Sequence, residues 1–438
     1  MLFSVHGSRR RSSATKSLLS TPHSSAPFPS TPERLIQSFR SMSSVNSNKK
    51  LNSIADNDDI LTEILVRLPL KSILRCKSVS KQWRSLISGA HFCRRIYPDP
   101  YLVSGLLLNN IFVDNLEYDF VPLTDKPTSP PFETLTFVNH PSGLEILQSC
   151  HGLLFCSSFS NRDFGRDYYI YNPTTEQFRT LPLPPSCQDS TIVRGMTLAY
   201  DPHKSPHYKV VCVRKPNSGQ DYMGIYSRLK DYLSNYSRYQ IEIYSSEMRS
   251  WKVSGRSFIA HDDVDFRRGV FWNGAVHWVN FYISHCLYFK VDDEKLRKMP
   301  MPATPIPDDW DYGRRLRYFD ESREHLHLVE KYVTQNFDIY EMEADYSGWF
   351  VKYHVNLNSI KIAFPEMITT LFHRYNIAIL AIIREADDGE SYMVLQIPGK
   401  VIRYNLNDKT FNMINGFSPG TICNCFDAYH YIETVASI

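Results

Sequence analysis

The chain lacks both a long hydrophobic run and the short motifs that mark common enzyme classes. Its longest wholly apolar stretch, Ile377–Ile383, has seven residues, whereas a membrane-spanning helix needs roughly 20. The sequence contains no Gly-x-Ser-x-Gly, His-Glu-x-x-His, phosphate-binding loop or Gly-x-Gly-x-x-Gly. We therefore expect no membrane partner, no catalytic residues and no cofactor, and the expected activity is binding.

Paired cysteines are also missing. The nine cysteines of the chain are scattered, odd in number, and contain no Cys-x-x-Cys pair. This usage is typical of reduced thiols in a cytosolic or nuclear protein. Cys423-x-Cys425 and His325-x-His327 lack a second pair at zinc-site spacing, so we expect no metal site.

Charge of one sign is not in large excess. The formal net charge is +3; residues 1–40 contribute +5, from six Lys or Arg against one Glu, which leaves −2 for the rest. This balance gives no reason to expect nucleic acid as a partner. Residues 1–53 are Ser- and Arg-rich without hydrophobic periodicity, which predicts a disordered tail. An organellar transit peptide in residues 1–40 is the less favoured alternative.

Three short amphipathic helices are predicted in residues 54–97. Asp56, Asn57 and Asp58 can cap the first, Pro69 ends it, and Ser78 or Ser80 can cap a later one. A unit of about forty residues buries too little surface to be stable alone, so some apolar surface should meet another chain or domain. The apolar positions are Ile60, Leu61, Ile64, Leu65, Leu68, Pro69, Leu70, Ile73, Leu74, Val79, Trp83, Leu86 and Ile87.

This segment resembles the F-box, the motif by which substrate receptors attach to the Skp-type adaptor of cullin-based ubiquitin ligases. The resemblance implies that the apolar positions above bind the adaptor, and through it a cullin scaffold. The Leu-Pro that usually opens the motif is Asp56-Asn57 here, which removes one proline contact with the adaptor. An ordinary helical subdomain that packs only within this chain is the alternative. The resemblance is carried by Asp58-Asp59-Ile60-Leu61, Glu63-Ile64-Leu65, Arg67-Leu68-Pro69, Lys71-Ser72-Ile73-Leu74-Arg75, Val79-Ser80-Lys81 and Trp83-Arg84-Ser85-Leu86-Ile87.

Residues 98–438 change to short β-branched and aromatic runs separated by turn residues, which predicts an all-β domain. One unit recurs, consisting of an aromatic strand, a tight polar turn and a second strand, and two further strands precede each copy. Four strands make one blade, so the pattern predicts a β-propeller of about six blades. The sixth would combine strands from Tyr101–Leu147 with Tyr429–Val435 and close the ring, whereas a β-sandwich or open sheets are the alternative. The recurring units are Tyr168–Leu183, Ile241–Val253, Cys286–Met301, Phe337–Val355 and Val401–Ile414.

The β part resembles the F-box-associated interaction domain of plant F-box proteins, which is often grouped with kelch repeats. The kelch Gly-Gly doublet is absent, so the resemblance implies a propeller that is kelch-like in architecture only. His151 stands where the family usually has Asn, at an expected turn. The resemblance is carried by Ser149-Cys150-His151-Gly152-Leu153-Leu154, Tyr171-Asn172-Pro173-Thr174-Thr175, Tyr200-Asp201-Pro202, Tyr208-Lys209-Val210-Val211, the run from Gly269 to Trp278, and Tyr431-Ile432-Glu433-Thr434.

A target-binding surface is expected on the propeller face that carries the long connections, because variable loops on a rigid scaffold often bind. These connections are Ser158–Asp167, Lys215–Tyr239, Gly255–Arg267, Ala303–Arg315 and Glu385–Glu390. The second is rich in Tyr and Arg, which are common in interface hot spots. Its candidate target-binding residues are Tyr222, Tyr226, Arg228, Tyr232, Tyr236, Arg238 and Tyr239. A solvated insertion without function is the alternative.

Together the two resemblances imply a non-catalytic substrate receptor of a Skp–cullin–F-box ubiquitin ligase. The helical module would hold the adaptor, and the propeller would hold an unknown target protein, so that tethering supplies effective concentration. A hydrolase or other enzyme on a propeller scaffold is one alternative, and an adaptor-bound regulator without ubiquitination activity is another. Because the cullin machinery operates there, we expect the protein in the cytoplasm, the nucleus or both.

Overall fold

The computed structural model describes most of the chain after residue 56. The chain divides into two compact units, Met1–Glu63 and Ile64–Ile438. The predicted tail, together with Asp56 and Pro69, lies outside the described residues. These residues are 57–68, 70–96, 99–109, 117–124, 130–159, 166–185, 191–216, 236–279, 285–302, 316–330, 335–369, 374–375, 377–414, 428–436 and 438.

The described part begins with four short helices, α1 (Asp58–Leu65), α2 (Leu70–Cys76), α3 (Lys81–Ser88) and α4 (Ala90–Ile96). Asn57 caps α1, because its side-chain Oδ1 accepts hydrogen bonds from the N–H groups of Asp59 (3.1 Å) and Ile60 (3.2 Å). Ser80 caps α3, and its Oγ accepts from the N–H of Trp83 at 3.1 Å. The cap is therefore Ser80 rather than Ser78, and α4 is a helix that the pattern did not indicate.

The strands that follow form a six-bladed β-propeller. A short helix, α5 (Asn358–Ala363), and the 3-10 turns Pro365–Met367 and Asp388–Glu390 interrupt them. The strands are β1 (Gly105–Asn109), β2 (Tyr118–Pro122), β3 (Leu144–Cys150), β4 (Leu153–Ser158), β5 (Tyr168–Asn172), β6 (Gln177–Leu181), β7 (Thr191–Ala199), β8 (Lys209–Pro216), β9 (Tyr236–Ser245), β10 (Ser250–His261), β11 (Val270–Trp272), β12 (Ala275–Trp278), β13 (His285–Lys290), β14 (Lys295–Pro300), β15 (Leu316–Ser322), β16 (His325–Glu330), β17 (Asn336–Met342), β18 (Trp349–Asn356), β19 (Ile368–Thr369), β20 (Arg374–Tyr375), β21 (Ala378–Ile383), β22 (Tyr392–Ile397), β23 (Lys400–Asn405), β24 (Phe411–Ile414) and β25 (Ala428–Tyr431).

Five blades are four-stranded antiparallel sheets whose strands pair in chain order: β3–β6, β7–β10, β11–β14, β15–β18 and β21–β24. Their first strands contact those of neighbouring blades and form the inner ring. In the sixth blade β25 pairs with β1, and β1 pairs with β2. β25 also contacts β3, so it takes the inner position in this blade. The predicted closure by the two ends of the β part is confirmed.

Each of the five predicted strand–turn–strand units is present, but three neighbouring assignments are wrong. Leu144–Leu147 belongs to β3 rather than to the closing blade. A loop is predicted over residues 255–267, yet residues 255–261 lie inside β10. The pairing of β10 with β9 shifts register after Ser254, and Gly255 has a φ of +57°, as in a β-bulge. Glu385–Glu390 joins β21 to β22, the first and second strands of a blade, and so lies on the face opposite the other long connections.

The hydrophobic core lies between and within blades. One cluster joins the blades β15–β18 and β21–β24 through Ile339, Ile382 and Met393, all fully buried. Another joins β7–β10 to β11–β14 and includes Trp278. Trp278 and His277 are buried, as expected for core residues of an apolar strand. Within the described ranges, no helix has the length and apolar character to cross a membrane.

Candidate functional site

The apolar positions predicted to bind an adaptor divide by exposure. Ile60 and Val79 are 43% and 41% exposed. These are the side chains most available to a partner, while the buried set supports the helices. Because Trp83 is buried, its side chain is better placed to stabilise the helical core than to contact an adaptor directly. Buried positions are Leu61, Leu65, Ile73, Trp83 and Ile87; partly buried ones are Ile64, Leu68, Leu74 and Leu86; Pro69 and the Leu70 side chain are not described. Adaptor binding by these residues stays a prediction.

Lys77, in the turn after α2, is a buried cation that sequence reasoning missed. Its residue is 8% exposed, and its Nζ donates a hydrogen bond to the carbonyl oxygen of Val435 at 2.9 Å. Burial lowers the pKa of Lys77. Val435 is also buried, so the contact joins the turn between α2 and α3 to the end of the propeller chain. Nothing local to Lys77 in the sequence signals a partner so far along the chain.

The C-terminal segment, residues 432–438, is held by motifs that are far apart in the sequence. The Nδ2 of Asn172 donates to the carbonyl oxygens of Thr434 (3.1 Å) and Ala436 (2.9 Å). Gly152 has a φ of +85°, and a Cβ there would lie 2.7 Å from the carbonyl oxygen of Ile432. The family motifs around Gly152, Asn172 and Thr434 therefore meet at one place, and Lys77 reaches the same segment.

The predicted target-binding loop is only partly described. Tyr222, Tyr226, Arg228 and Tyr232 lie outside the described residues, whereas Tyr236, Arg238 and Tyr239 belong to strand β9. Tyr236 (54% exposed) and Arg238 face solvent. Tyr239 must be removed from the candidate surface, because it is fully buried. Its ring packs on Phe266, and its hydroxyl donates to Asp262 at 2.6 Å. Target binding by the others stays a prediction.

A cavity of about 120 Å³ lies between the inner strands β3, β11, β15 and β25. Asp320, Glu321 and His430 line it, with Asp265 and Arg268 from the segment before β11. Burial raises the pKa of Asp320, raises that of Glu321 to about 8, and lowers that of His430. Over the described residues, no group of three or more His, Cys, Asp or Glu could hold a metal ion. Sequence reasoning did not single out this cavity.

Comparison with known proteins defines the class. Residues 57–95 match the F-box domain, and residues 122–318 match the F-box associated beta propeller domain. The chain belongs to the F-box protein family, and it pairs the F-box with a propeller of the F-box-associated type. The kelch-like description expected from the sequence is slightly inaccurate, because the matching family model is that of the F-box associated beta propeller domain. An F-box implies binding to a Skp-type adaptor, and the pairing supports a substrate-recognition role in general terms.

Among its relatives, F-box protein At5g07610 of Arabidopsis thaliana is 35% identical over 395 residues, which cover 85% of this chain and 88% of that protein. F-box only protein 8 of Arabidopsis thaliana is 29% identical over 258 residues, covering 56% and 79%. Among solved structures, TolB from Acinetobacter baumannii aligns over 78% of this chain and 71% of its own, with 7% identity and a TM-score of 0.37. The Malassezia sympodialis allergen Mala s 1 aligns over 62% and 77%, with 10% identity and a TM-score of 0.33.

Proposed function

We propose that this chain is the substrate-recognition subunit of a Skp–cullin–F-box ubiquitin ligase and recruits a target protein for ubiquitination. The observation that carries the proposal is an F-box and an F-box-associated propeller on one chain. Chemistry would belong to a ubiquitin-loaded conjugating enzyme brought by the cullin. This chain would contribute proximity, which raises the effective concentration of the target without any catalytic side chain.

The buried Lys77–Val435 hydrogen bond supports this role. A receptor works by holding its target at a set distance from the ligase, and loose coupling between its two parts would dilute that effect. The contact joins the turn between α2 and α3 to the C-terminal segment, which Asn172 in turn holds to the propeller. The proposal places the protein where the cullin machinery operates, in the cytoplasm, the nucleus or both.

Adaptor binding is tested with single substitutions at exposed apolar positions. Replacing Ile60 by Asp in the full chain should lower recovery of a co-expressed Skp-type adaptor about tenfold or more, since it places a charge in a desolvated contact. Ile362→Asp on α5 is the matched control, because Ile362 is 72% exposed and lies in the propeller. Its adaptor recovery should equal that of the unaltered chain.

Equal adaptor recovery from the Ile60→Asp and Ile362→Asp chains would contradict the docking surface. Recruitment of a target is tested separately by proximity labelling with the proteasome blocked, comparing the intact chain with one that lacks residues 54–97. If the chain is a receptor, the labelled proteins should carry ubiquitin in the sample with the intact chain and should lack it in the sample without residues 54–97. A labelled set with the same ubiquitin content in both samples would favour a regulator without ubiquitination activity.

A further inference from the structure

Two neighbouring acidic residues line the cavity between the inner strands, and neither has a counter-charge among the described residues. Asp320 and Glu321 lie near the end of β15, and both are partly buried. The Asp320 carboxylate accepts a hydrogen bond from the N–H of Glu321 (2.8 Å), and the Glu321 carboxylate accepts one from the N–H of Glu324 (2.6 Å). Neither forms an ion pair with a described residue. Carboxylates that are partly withdrawn from water without a cation nearby are unusual, because removing a charge from water is costly.

His430 presents an unsatisfied nitrogen to the same cavity. Its backbone N–H donates to the Oγ of Ser149 at 3.0 Å, which fixes β25 against β3. Its side-chain Nε2 is buried and has no hydrogen-bond partner among the described residues. Asp320 influences it electrostatically, yet no hydrogen bond joins the two side chains. Since nearly all buried polar atoms are hydrogen-bonded, a group placed between His430 and Asp320 would satisfy both.

We propose that this cavity binds a small cationic group, an ammonium or a guanidinium, that donates hydrogen bonds to the Asp320 carboxylate and to the Nε2 of His430, with Glu321 as a second acidic residue of the lining. A cation supplies the missing counter-charge and a hydrogen-bond donor together, because it favours the ionised, accepting form of a carboxyl group, and a neutral imidazole has one accepting nitrogen. The inference is independent of the proposed ligase function, because it concerns the propeller interior alone.

Other occupants fit the cavity less well. An anion would face two carboxylates, and the one cationic side chain among the lining residues, Arg268, already pairs with Asp265 (3.5 Å). A metal ion would need more ligands than the described residues bring together. A cavity of about 120 Å³ holds several water-sized groups, so it has room for a small amine or for the end of a Lys or Arg side chain.

The test uses the full chain with agmatine, which carries both a guanidinium and an ammonium group. At tenfold its dissociation constant, agmatine should raise the melting temperature by about 2 °C, and sodium acetate should not. Asp320→Asn keeps the shape but removes the charge, and should weaken agmatine binding in calorimetry at least about tenfold. Asp293→Asn, in the exposed turn between β13 and β14, is the matched control and should bind like the unaltered chain.

His430→Gln is a second variant, for the case that Asp320→Asn does not fold, and it too should weaken binding. The proposal is overturned if agmatine neither binds nor shifts the melting temperature of the unaltered chain. It is also overturned if every cavity variant that folds binds agmatine as tightly as Asp293→Asn does.

A second arm separates the two sources of such a cation. A capped Gly-Gly-Arg-Gly-Gly peptide offers the guanidinium on a polypeptide, whereas agmatine offers it free. Binding of both, with both weakened by the cavity variants, supports a basic side chain of a bound protein as the occupant. Binding of agmatine alone supports a free small amine. Binding of neither overturns the proposal.

Discussion

At the residue scale, backbone conformation decides which side chains fit single positions. His151 and Gly152 form the turn between β3 and β4 with φ values of +45° and +85°. Asn and Gly tolerate this left-handed region best, which explains why the family resemblance predicts Asn where His151 stands. The ring of His151 lies with its Nδ1 2.8 Å from the carbonyl oxygen of Tyr200, and this hydrogen bond helps to hold the unusual residue in place.

Gly195 is required by a close backbone approach. It lies on β7, and a Cβ at this position would be 1.9 Å from the carbonyl oxygen of Phe266. Gly195→Ala should therefore lower the free energy of unfolding by about 3 kcal/mol, because the inner strand has to move. Gly348→Ala is the control: no described atom lies within 4 Å of its Cβ position. Urea unfolding should give nearly equal stability for the control and the unaltered chain, and a loss shared by both variants would contradict the argument.

His277 makes stability depend on pH. It is buried on β12, with its Nδ1 3.2 Å from the carbonyl oxygen of Val270 and its Nε2 3.0 Å from the hydroxyl of Tyr346. Burial lowers its pKa from 6.5 to about 3. As pH falls through this window, the unfolded chain takes up a proton that the folded chain does not. Stability is therefore lost on acidification, by up to about 1.4 kcal/mol per pH unit from this residue.

The measurement is urea unfolding of the His277→Phe chain at pH 6, 5 and 4. The free energy of unfolding of this variant should depend less steeply on pH than that of the unaltered chain. The difference in slope should be up to about 1.4 kcal/mol per pH unit, which corresponds to one proton. His207→Phe, at an exposed position in the turn before β8, is the control and should keep the original slope. If the His277→Phe and His207→Phe chains have the same slope, the histidine is not neutral in the folded state.

At the element scale, two of the turns between third and fourth strands follow the same Tyr-Asn pair, but the two Asn side chains have different partners. Asn172 and Asn405 end β5 and β23, and the Oδ1 of each accepts two backbone N–H groups of the following turn. Such side-chain bonds favour the turn locally. Asn172 is fully buried and also donates to two carbonyl oxygens of the C-terminal segment, whereas the Nδ2 of Asn405 donates to Gly389.

Asn172→Ala should therefore cost more than Asn405→Ala. Removing the Asn172 side chain leaves four partly buried backbone groups without these partners, and we expect a loss of about 3 kcal/mol. Asn405→Ala, whose partners can bond to water, should cost about 1 kcal/mol. Hydrogen exchange should also become faster at residues 434–436 in the Asn172→Ala chain alone. Equal losses, or unchanged exchange in this segment, would show that Asn172 does not hold it.

At the scale of the whole molecule, ring closure depends on β25. This strand pairs with β1 and contacts β3, so it joins the last part of the chain to the first blades. Without it, β1 would expose an unpaired edge and the inner ring would be open. Exposed edges of this kind promote association between chains.

Deleting residues 428–438 should therefore abolish the cooperative thermal transition and cause aggregation, seen as light scattering near room temperature. Deleting residues 1–53, the predicted tail, is the control and should leave the melting temperature unchanged. A truncated chain that stays monomeric with the original melting temperature would show that β25 is not needed for closure.

The sequence by itself determined the features that depend on neighbouring residues. Periodic apolar positions and caps such as Asn57 predicted the helices, and polar turns predicted the five hairpins, because dihedral preferences and local hydrogen bonds act over a few residues. The recurrence of these units also indicated a closed ring. Only the tertiary structure decided the contacts between distant residues: the partner of Lys77, the burial of Tyr239 and the meeting of Asp320 with His430. These depend on how the blades pack around the axis, which no local preference specifies.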